Sequence, residues 1–272
     1  MKPLSRIAIV TNASKEGAGE AAAALEALAG EEGVEVRSTI EFPPPPGFLE
    51  GFDACFVVGG DGTLLGMLEE AVRHDVPVAG VRHGQLGFLA TFSPEDLREQ
   101  LPPILRGAYH VRRRSLLRCQ VGTGESRLAL NDVVVKSGSG SRLARLVVRT
   151  EDEPVAEYAC DGVIFSTPTG STAYNLAAGG PLVHPAANVL VMTPISAHTL
   201  TSRSVVFPRK TRLIVESAGE QDPPSVATDG QDAFAGPDSL PMEVVVPEET
   251  FPLLEEENHS HFRVLRNKLK WD

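Results

Sequence analysis

Three glycines crowd around a single aspartate in Phe56-Val57-Val58-Gly59-Gly60-Asp61-Gly62-Thr63, directly after an apolar run and directly before a helical one. Glycine lets backbone N–H groups come close to phosphate oxygens, and a helix starting here adds the partial positive charge of its N-terminus. A carboxylate in such an anion cradle is repulsive unless it takes a proton or holds a cation. Asp61 is therefore a candidate general base or metal partner in phosphoryl transfer, with Gly60, Gly62 and Thr63 forming the cradle. The competing reading makes Asp61 a helix cap, and on this segment alone the two stand even. The pattern is neither GxxxxGK[ST] nor GxGxxG.

A second constellation runs Asp161-Gly162-Val163-Ile164-Phe165-Ser166-Thr167-Pro168-Thr169-Gly170-Ser171-Thr172-Ala173-Tyr174. It brings five hydroxyl side chains to the start of an Ala-rich helical stretch, which suits a ligand rich in hydroxyl and phosphate groups, such as a nucleotide. An ordinary Ser/Thr turn explains any two of these residues but not the whole run. Asn131-Asp132, at the start of a Val-rich strand, combines an amide and a carboxylate that together can grip vicinal ribose hydroxyls. In isolation that pair reads as a turn.

The elements that must position these groups change character along the chain. Strands are expected at Arg6–Val10, Val34–Ser38, Ala54–Val58 and Val78–Val81, alternating with helices at Glu20–Ala29 and Thr63–His74. This is the pattern of a Rossmann-like α/β domain with a parallel sheet, whose ligands bind where strand carboxyl ends meet helix N-termini. Pro43–Pro46 reads as a surface connection, and Ser93-Pro94-Glu95-Asp96 as the start of a short helix capped by Ser93. Beyond about Arg112 come Val-rich runs at Leu116–Val121, Val133–Lys136, Leu143–Thr150, Val155–Ala159, Val163–Ser166, Val189–Thr193, Arg212–Glu216 and Met242–Val246, with one helical stretch near Ser171–Ala178. Such spacing favours a β-sandwich. The boundary is expected near Tyr109–Ser115.

Composition sets the outer limits. A length of 272 residues suits one large or two modest domains, and 42% hydrophobic with 22% charged residues is an ordinary globular balance. The net charge of −11 weighs against nucleic acid or an anionic membrane as partner, although a small anion held by backbone amides is compatible with it. Cys55, Cys119 and Cys160 form no CxxC pair and are expected to be reduced thiols of a cytoplasmic protein. No run approaches a membrane span or a signal-peptide core, and no Cys/His spacing suggests structural zinc. Arg112-Arg113-Arg114 reads as a solvated charge run.

Gly59–Thr63, Leu86-Gly87-Phe88-Leu89, Asn131-Asp132, Asp161–Tyr174, His198-Thr199-Leu200 within Pro194–Ser202, and the closing Leu265-Arg266-Asn267-Lys268-Leu269 resemble, in this order and over nearly the whole chain, the bacterial ATP-dependent NAD kinases. The glycine loop alone is shared with diacylglycerol and sphingosine kinases, whereas the run through Ser166–Tyr174 is far more specific. One departure is Gly80-Val81-Arg82-His83, which puts a cation where the family usually has an asparagine.

The resemblance implies an N-terminal α/β domain over 1–111, a β-rich, NAD-binding domain over 112–254, and a tail over 255–272 that returns to the first domain, with the active site in a cleft. It implies transfer of the γ-phosphate of ATP to the 2′-hydroxyl of the adenosine ribose of NAD, with Asp61 assisting deprotonation. Asn131 and Asp132 would hold ribose hydroxyls, Phe88 would lie against an adenine, and Thr172, Ala173 and Tyr174 would line the dinucleotide pocket beside Ser166. Arg142 and Gln231 match further ligand-facing positions, and Asp161 looks like the carboxylate that reaches a nicotinamide end across a subunit interface. A homodimer or homotetramer with shared sites follows. Mg²⁺ is expected to arrive with ATP, without a dedicated metal-ligand set. Two alternatives are a lipid kinase that shares the glycine loop and a dinucleotide-binding module without turnover.

Overall fold

Short apolar runs bounded by Gly, Pro and Asp become strands, and the Ala/Leu-rich stretches become helices. The computed structural model describes residues 1–82, 87–122, 124–138, 144–199, 201–218 and 224–271. The chain begins with β1 (Arg6–Thr11), α1 (Ala18–Glu31), β2 (Glu35–Thr39), β3 (Ala54–Gly59), α2 (Asp61–Leu65), α3 (Leu68–His74), β4 (Val78–Arg82), β5 (Ala90–Phe92), α4 (Leu97–Leu105) and β6 (Tyr109–Ser115). There follow β7 (Leu117–Val121), β8 (Ser126–Ala129), β9 (Asp132–Lys136), β10 (Ala144–Arg149), β11 (Pro154–Cys160), β12 (Gly162–Ser166) and α5 (Tyr174–Ala177). Next are β13 (Val189–Ile195), β14 (Val205–Pro208), β15 (Leu213–Ser217), β16 (Ser225–Thr228), β17 (Gln231–Ala235) and β18 (Met242–Val245), before β19 (Thr250–Glu256) and α6 (His261–Leu269). The chain divides into two units, Met1–Arg113 with Phe251–Asp272, and Arg114–Thr250.

In the first unit the described strands form one sheet in the order β2-β1-β3-β4-β19-β6, with β5 on β4. The pairings β1–β2, β1–β3, β3–β4 and β4–β19 are parallel. Because β2 and β3 flank β1 on opposite sides, the chain leaves β1 in two directions. The carboxyl ends of β1 and β3 therefore mark the switch point where an open α/β sheet takes its ligand. Ile7, Ile9, Phe56 and Val58 pack against Ala18 and Leu25 of α1 and Leu97 and Leu101 of α4, all nearly inaccessible. Burial of each large side chain contributes about 1.5–3 kcal/mol, which is why strands covered on both faces read as continuous apolar runs.

Three local expectations are corrected. The helix expected over Thr63–His74 is two helices, α2 and α3, separated at Gly66. A Cβ there would lie 2.1 Å from the Phe42 ring, so only glycine fits, and glycine is a poor helix interior residue. Ser93 caps no helix: it begins a turn, its carbonyl accepting the Asp96 N–H at 3.2 Å, and α4 starts only at Leu97. The arginine run is not simply solvated, since Arg113 forms an ion pair with Asp75, Arg112 lies 3.8 Å from Glu255, and Arg114 is buried.

The second unit holds two antiparallel sheets, described as β11-β10-β15-β18-β7-β8 and β14-β13-β12-β9-β16-β17. Leu146, Val148, Val215 and Val244 on one inner face meet Val133, Val135, Val163, Phe165 and Met192 on the other, making one β-sandwich core. Cys119 and Cys160 belong to this core, Cys55 lies buried in β3, and burial pushes all three thiols up. The stretch near Ser171–Ala178 is a 3₁₀ turn over Thr169–Thr172 and then the short α5, interrupted at Ala173. Strands β5, β6, β8, β14, β16, β17 and β19 escape the sequence reading, and β6 occupies the stretch expected as the domain boundary. For β19 the reason is Pro252, which argues against a central strand by ordinary pattern rules. Among the described residues no helix is long and apolar enough to cross a membrane.

Candidate active site

Asp61 opens α2, the position before it is Gly60, and no side chain caps this helix. The carboxylate instead reaches to the loop that leads into β5. Its Oδ2 accepts the Phe88 N–H at 2.8 Å, and its Oδ1 accepts those of Leu89 at 3.1 Å and Ala90 at 2.9 Å. Three consecutive amides thus fix the side chain in one orientation, and the capping alternative falls away. An ionised carboxylate has about four acceptor positions, so Oδ2 keeps capacity for a proton.

The neighbours of Asp61 divide by what fills the space around them. A Cβ at Gly59 would meet the Thr63 hydroxyl at 2.5 Å, and one at Gly87 would meet Asp61 itself, whereas at Gly60 and Gly62 it would find nothing within 4 Å. Close packing therefore does not explain the last two glycines, which leave the backbone open on this side. Thr63 is buried and its Oγ1 accepts from the Asn12 amide at 3.1 Å, while the Asn12 N–H donates to Val58 O at 3.0 Å. Asn12 so ties the carboxyl ends of β1 and β3 together. The ammonium of Lys268, on α6, sits 5.6 Å from the centre of the Phe88 ring.

The second unit gathers Asn131, Asp132, Ser166 and Tyr174. Asp132 is buried at the start of β9, and its carboxyl is pushed up to about 7 by burial first and then by the charge of Asp229; the Tyr174 N–H and Lys136 act in the opposite direction. The Asn131 carbonyl accepts the Thr167 N–H at 2.9 Å, and the Thr167 hydroxyl donates to Leu130 O at 2.6 Å. The Lys136 ammonium lies 5.5 Å from the Tyr174 ring centre, and Tyr174 is 40% exposed.

Most of the hydroxyl run faces inward. Ser166 is fully buried and bonds to Thr167 O at 2.9 Å and Asn131 O at 3.4 Å; Ser171 bonds to Pro168 O at 2.7 Å; Thr172 bonds to Thr169 O at 3.2 Å. Asn175 is fully buried too, donating to Ser171 O and Pro181 O and accepting from Thr193. The run is thus largely a scaffold, with Thr172, Ala173 and Tyr174 on its accessible side. Asp161 and Gln231 are exposed. Arg142, together with Leu86 and Leu200 of the resemblance motifs, lies outside the described residues.

Sequence reasoning did not single out Asn12 and gave no role to Gly87 or Asp229. For Asp229 a signal existed: Asp-Gly between two strand-like runs is a strong two-residue hairpin pattern. Among the described residues, no three His, Cys, Asp or Glu side chains gather into a metal-ligating group.

The model of the ATP-NAD kinase N-terminal domain matches residues 45–109, and that of the ATP-NAD kinase C-terminal domain matches residues 130–255. The chain is 37% identical over 225 residues to the NAD kinase of Marinomonas sp. and 38% identical over 227 residues to that of Pseudomonas putida, covering 80% of this chain and 76% of the relative in each case. An NAD kinase from Archaeoglobus fulgidus, solved in complex with ATP, superposes with a TM-score of 0.80 at 28% identity over 97% of this chain and 98% of that one. Yeast NADH kinase complexed with NADH shares the fold, with a TM-score of 0.86 at 21% identity over 100% of this chain and 89% of that one. The lipid-kinase and non-catalytic readings draw no support from these relatives. With two family domains matched in order and 37% identity over 80% of its length, the chain belongs to the NAD kinase family.

Proposed function

We propose that this protein transfers the γ-phosphate of ATP to the 2′-hydroxyl of the adenosine ribose of NAD, giving NADP and ADP. The observation that carries the reading is Asp61: a carboxylate held by three consecutive amides beside two glycines whose Cβ positions are open. In the reaction the 2′-oxygen forms a bond to the γ-phosphorus, the bond from that phosphorus to the β,γ-bridging oxygen breaks, and Asp61 takes the hydroxyl proton. Positioning and charge stabilisation do most of this work, since a transferring phosphoryl group needs little covalent help.

Gly60 and Gly62, with Thr63 behind them, leave room for phosphate oxygens against backbone. A divalent cation such as Mg²⁺ fits this reading as a companion of the triphosphate, because phosphates supply most of its ligands and it needs only one or two carboxylates. Asn131 and Asp132 hold ribose hydroxyls, Phe88 takes an adenine face, and Thr172, Ala173 and Tyr174 line the dinucleotide, with Ser166 acting through Asn131. Gln231 and Arg142 complete the binding set. Asp161 serves the site of a neighbouring copy in a homo-oligomer.

Incubating the purified protein with ATP, Mg²⁺ and NAD, then reading the product with an NADP-specific dehydrogenase, tests the proposal. NADP must accumulate one for one with ADP; ADP release without NADP would sink it.

A further inference from the structure

The carboxylate of Asp229 faces the backbone that leads into β9. Its Oδ2 accepts the Leu130 N–H at 2.8 Å, and its Oδ1 accepts the N–H groups of Asn131 at 2.7 Å and Asp132 at 3.2 Å. The Asp229 N–H in turn donates to Asp132 O at 3.0 Å. Asp229 and Gly230 are the two loop residues of the β16–β17 hairpin, with φ of 50° and 78°, and positive φ at both positions is what a type I′ turn requires. Aspartate tolerates that region better than most residues, so the turn and the grip on the three amides are compatible demands on one residue.

We propose that Asp229 is a positioning residue for the dinucleotide: by gripping three consecutive amides it sets the Asn131–Asp132 pair for ribose binding, and its charge makes binding through that pair depend on pH. The inference rests on the reading that Asn131 and Asp132 hold the ribose.

The groups that face Asp132 come from two other elements and from its own strand. Asp229 comes from the β16–β17 turn, the Tyr174 N–H from α5, and Lys136 from β9 itself. Burial and the Asp229 charge together bring the Asp132 carboxyl to about 7, and they outweigh the other two groups. Burial also raises Asp229, and the three N–H donors act against that rise. An ionised Asp132 accepts ribose O–H groups in charge-assisted bonds, stronger than those a neutral carboxyl offers. The KM for NAD therefore falls as pH rises through neutrality and levels off above it.

The test compares Asp229→Asn, Asp132→Ala and the wild type in steady-state kinetics between about pH 6 and 8.5. Asp229→Asn keeps shape and turn tolerance but removes the charge and one acceptor. Its KM for NAD should rise about tenfold with kcat and the KM for ATP held within about threefold, and the inflection in KM for NAD should move to lower pH. A residue that only holds the turn would lower the melting temperature and leave the inflection where it was; that result overturns the proposal. If Asp132→Ala raises the KM for NAD while Asp229→Asn leaves it untouched, the Asp229 inference alone fails. An unchanged KM in Asp132→Ala removes the ribose reading and this inference with it.

Should Asp229→Asn not fold, Gly230→Ala strains the same turn without a steric neighbour within 4 Å and keeps the charge. It should raise the KM for NAD several-fold with the inflection in place, and a wild-type KM that is flat across the range overturns the proposal.

Discussion

A Cβ on Gly87 would stand 2.2 Å from Oδ1 of Asp61, so the missing side chain at position 87 is what lets the carboxylate lie against the Phe88–Ala90 amides. The glycines around this aspartate thus serve two purposes. Gly59 and Gly87 make room for protein, whereas Gly60 and Gly62 leave open space that the proposed phosphate binding would use.

That division predicts opposite behaviour for two like substitutions. Gly87→Ala must displace Asp61, so kcat should fall at least about tenfold. Gly60→Ala has a free Cβ position and an ordinary extended φ of −100°, so the unliganded protein should keep its melting temperature or gain slightly. Its KM for ATP should rise instead. Equal kinetic effects of the two variants would contradict the distinction.

Asp61→Asn removes the base but nearly preserves its shape. The expected loss in kcat is about 10²–10⁴, with the KM for NAD little changed. One amide hydrogen bond to the 88–90 loop is lost as well, so thermal denaturation should show a drop of a few degrees at most. Turnover close to normal would return Asp61 to a purely structural role.

The pH dependence of stability carries a sign. The Asp132 carboxyl is raised in the folded state from 3.8 to about 7, so the native protein binds the proton more tightly than the unfolded chain. Its contribution is present below the unfolded value and is lost as pH rises from about 4 to about 7. Asp132→Asn abolishes that loss. The stability of the variant relative to wild type should therefore be greater at pH 8 than at pH 4 by roughly 2–4 kcal/mol, measured by urea denaturation without ligands.

Thr167→Val examines whether the hydroxyl run is scaffold. The Thr167 hydroxyl donates to Leu130 O and accepts the Gly170 N–H at 2.9 Å, so its removal leaves two buried groups unpaired. A stability loss of about 1–3 kcal/mol is expected. A raised KM for NAD with an unshifted denaturation midpoint would place this hydroxyl against the ligand.

Asp161 offers a test of shared sites. Mixing Asp161→Ala subunits with Asp61→Asn subunits, once exchange of labelled subunits is demonstrated, should restore activity above either parent, because some mixed interfaces then hold one site with both carboxylates. Exchange without any recovery means that Asp161 acts within its own chain.

The amino-acid sequence alone determines the alternation of apolar runs and helices, the change to Val-rich runs near residue 112, the glycine-rich turn after β3, and the family to which these belong. These are legible because hydrophobic periodicity and turn chemistry act over a few neighbouring residues. What holds Asp61 in place is not local: its donors come from 27 to 29 residues further along the chain. The donors to Asp229 come from 97 to 99 residues earlier, although its Asp-Gly turn could be read directly. Ser166, Thr167 and Ser171 show the same limit, since their types mark them as hydrogen-bonding residues but Asn131 O, Leu130 O and Val183 O, which they reach, lie 35, 37 and 12 residues away along the chain. A side chain's capacity to bond is written in its chemistry; its choice between ligand and backbone is decided by which groups the tertiary structure leaves within about 3 Å of it.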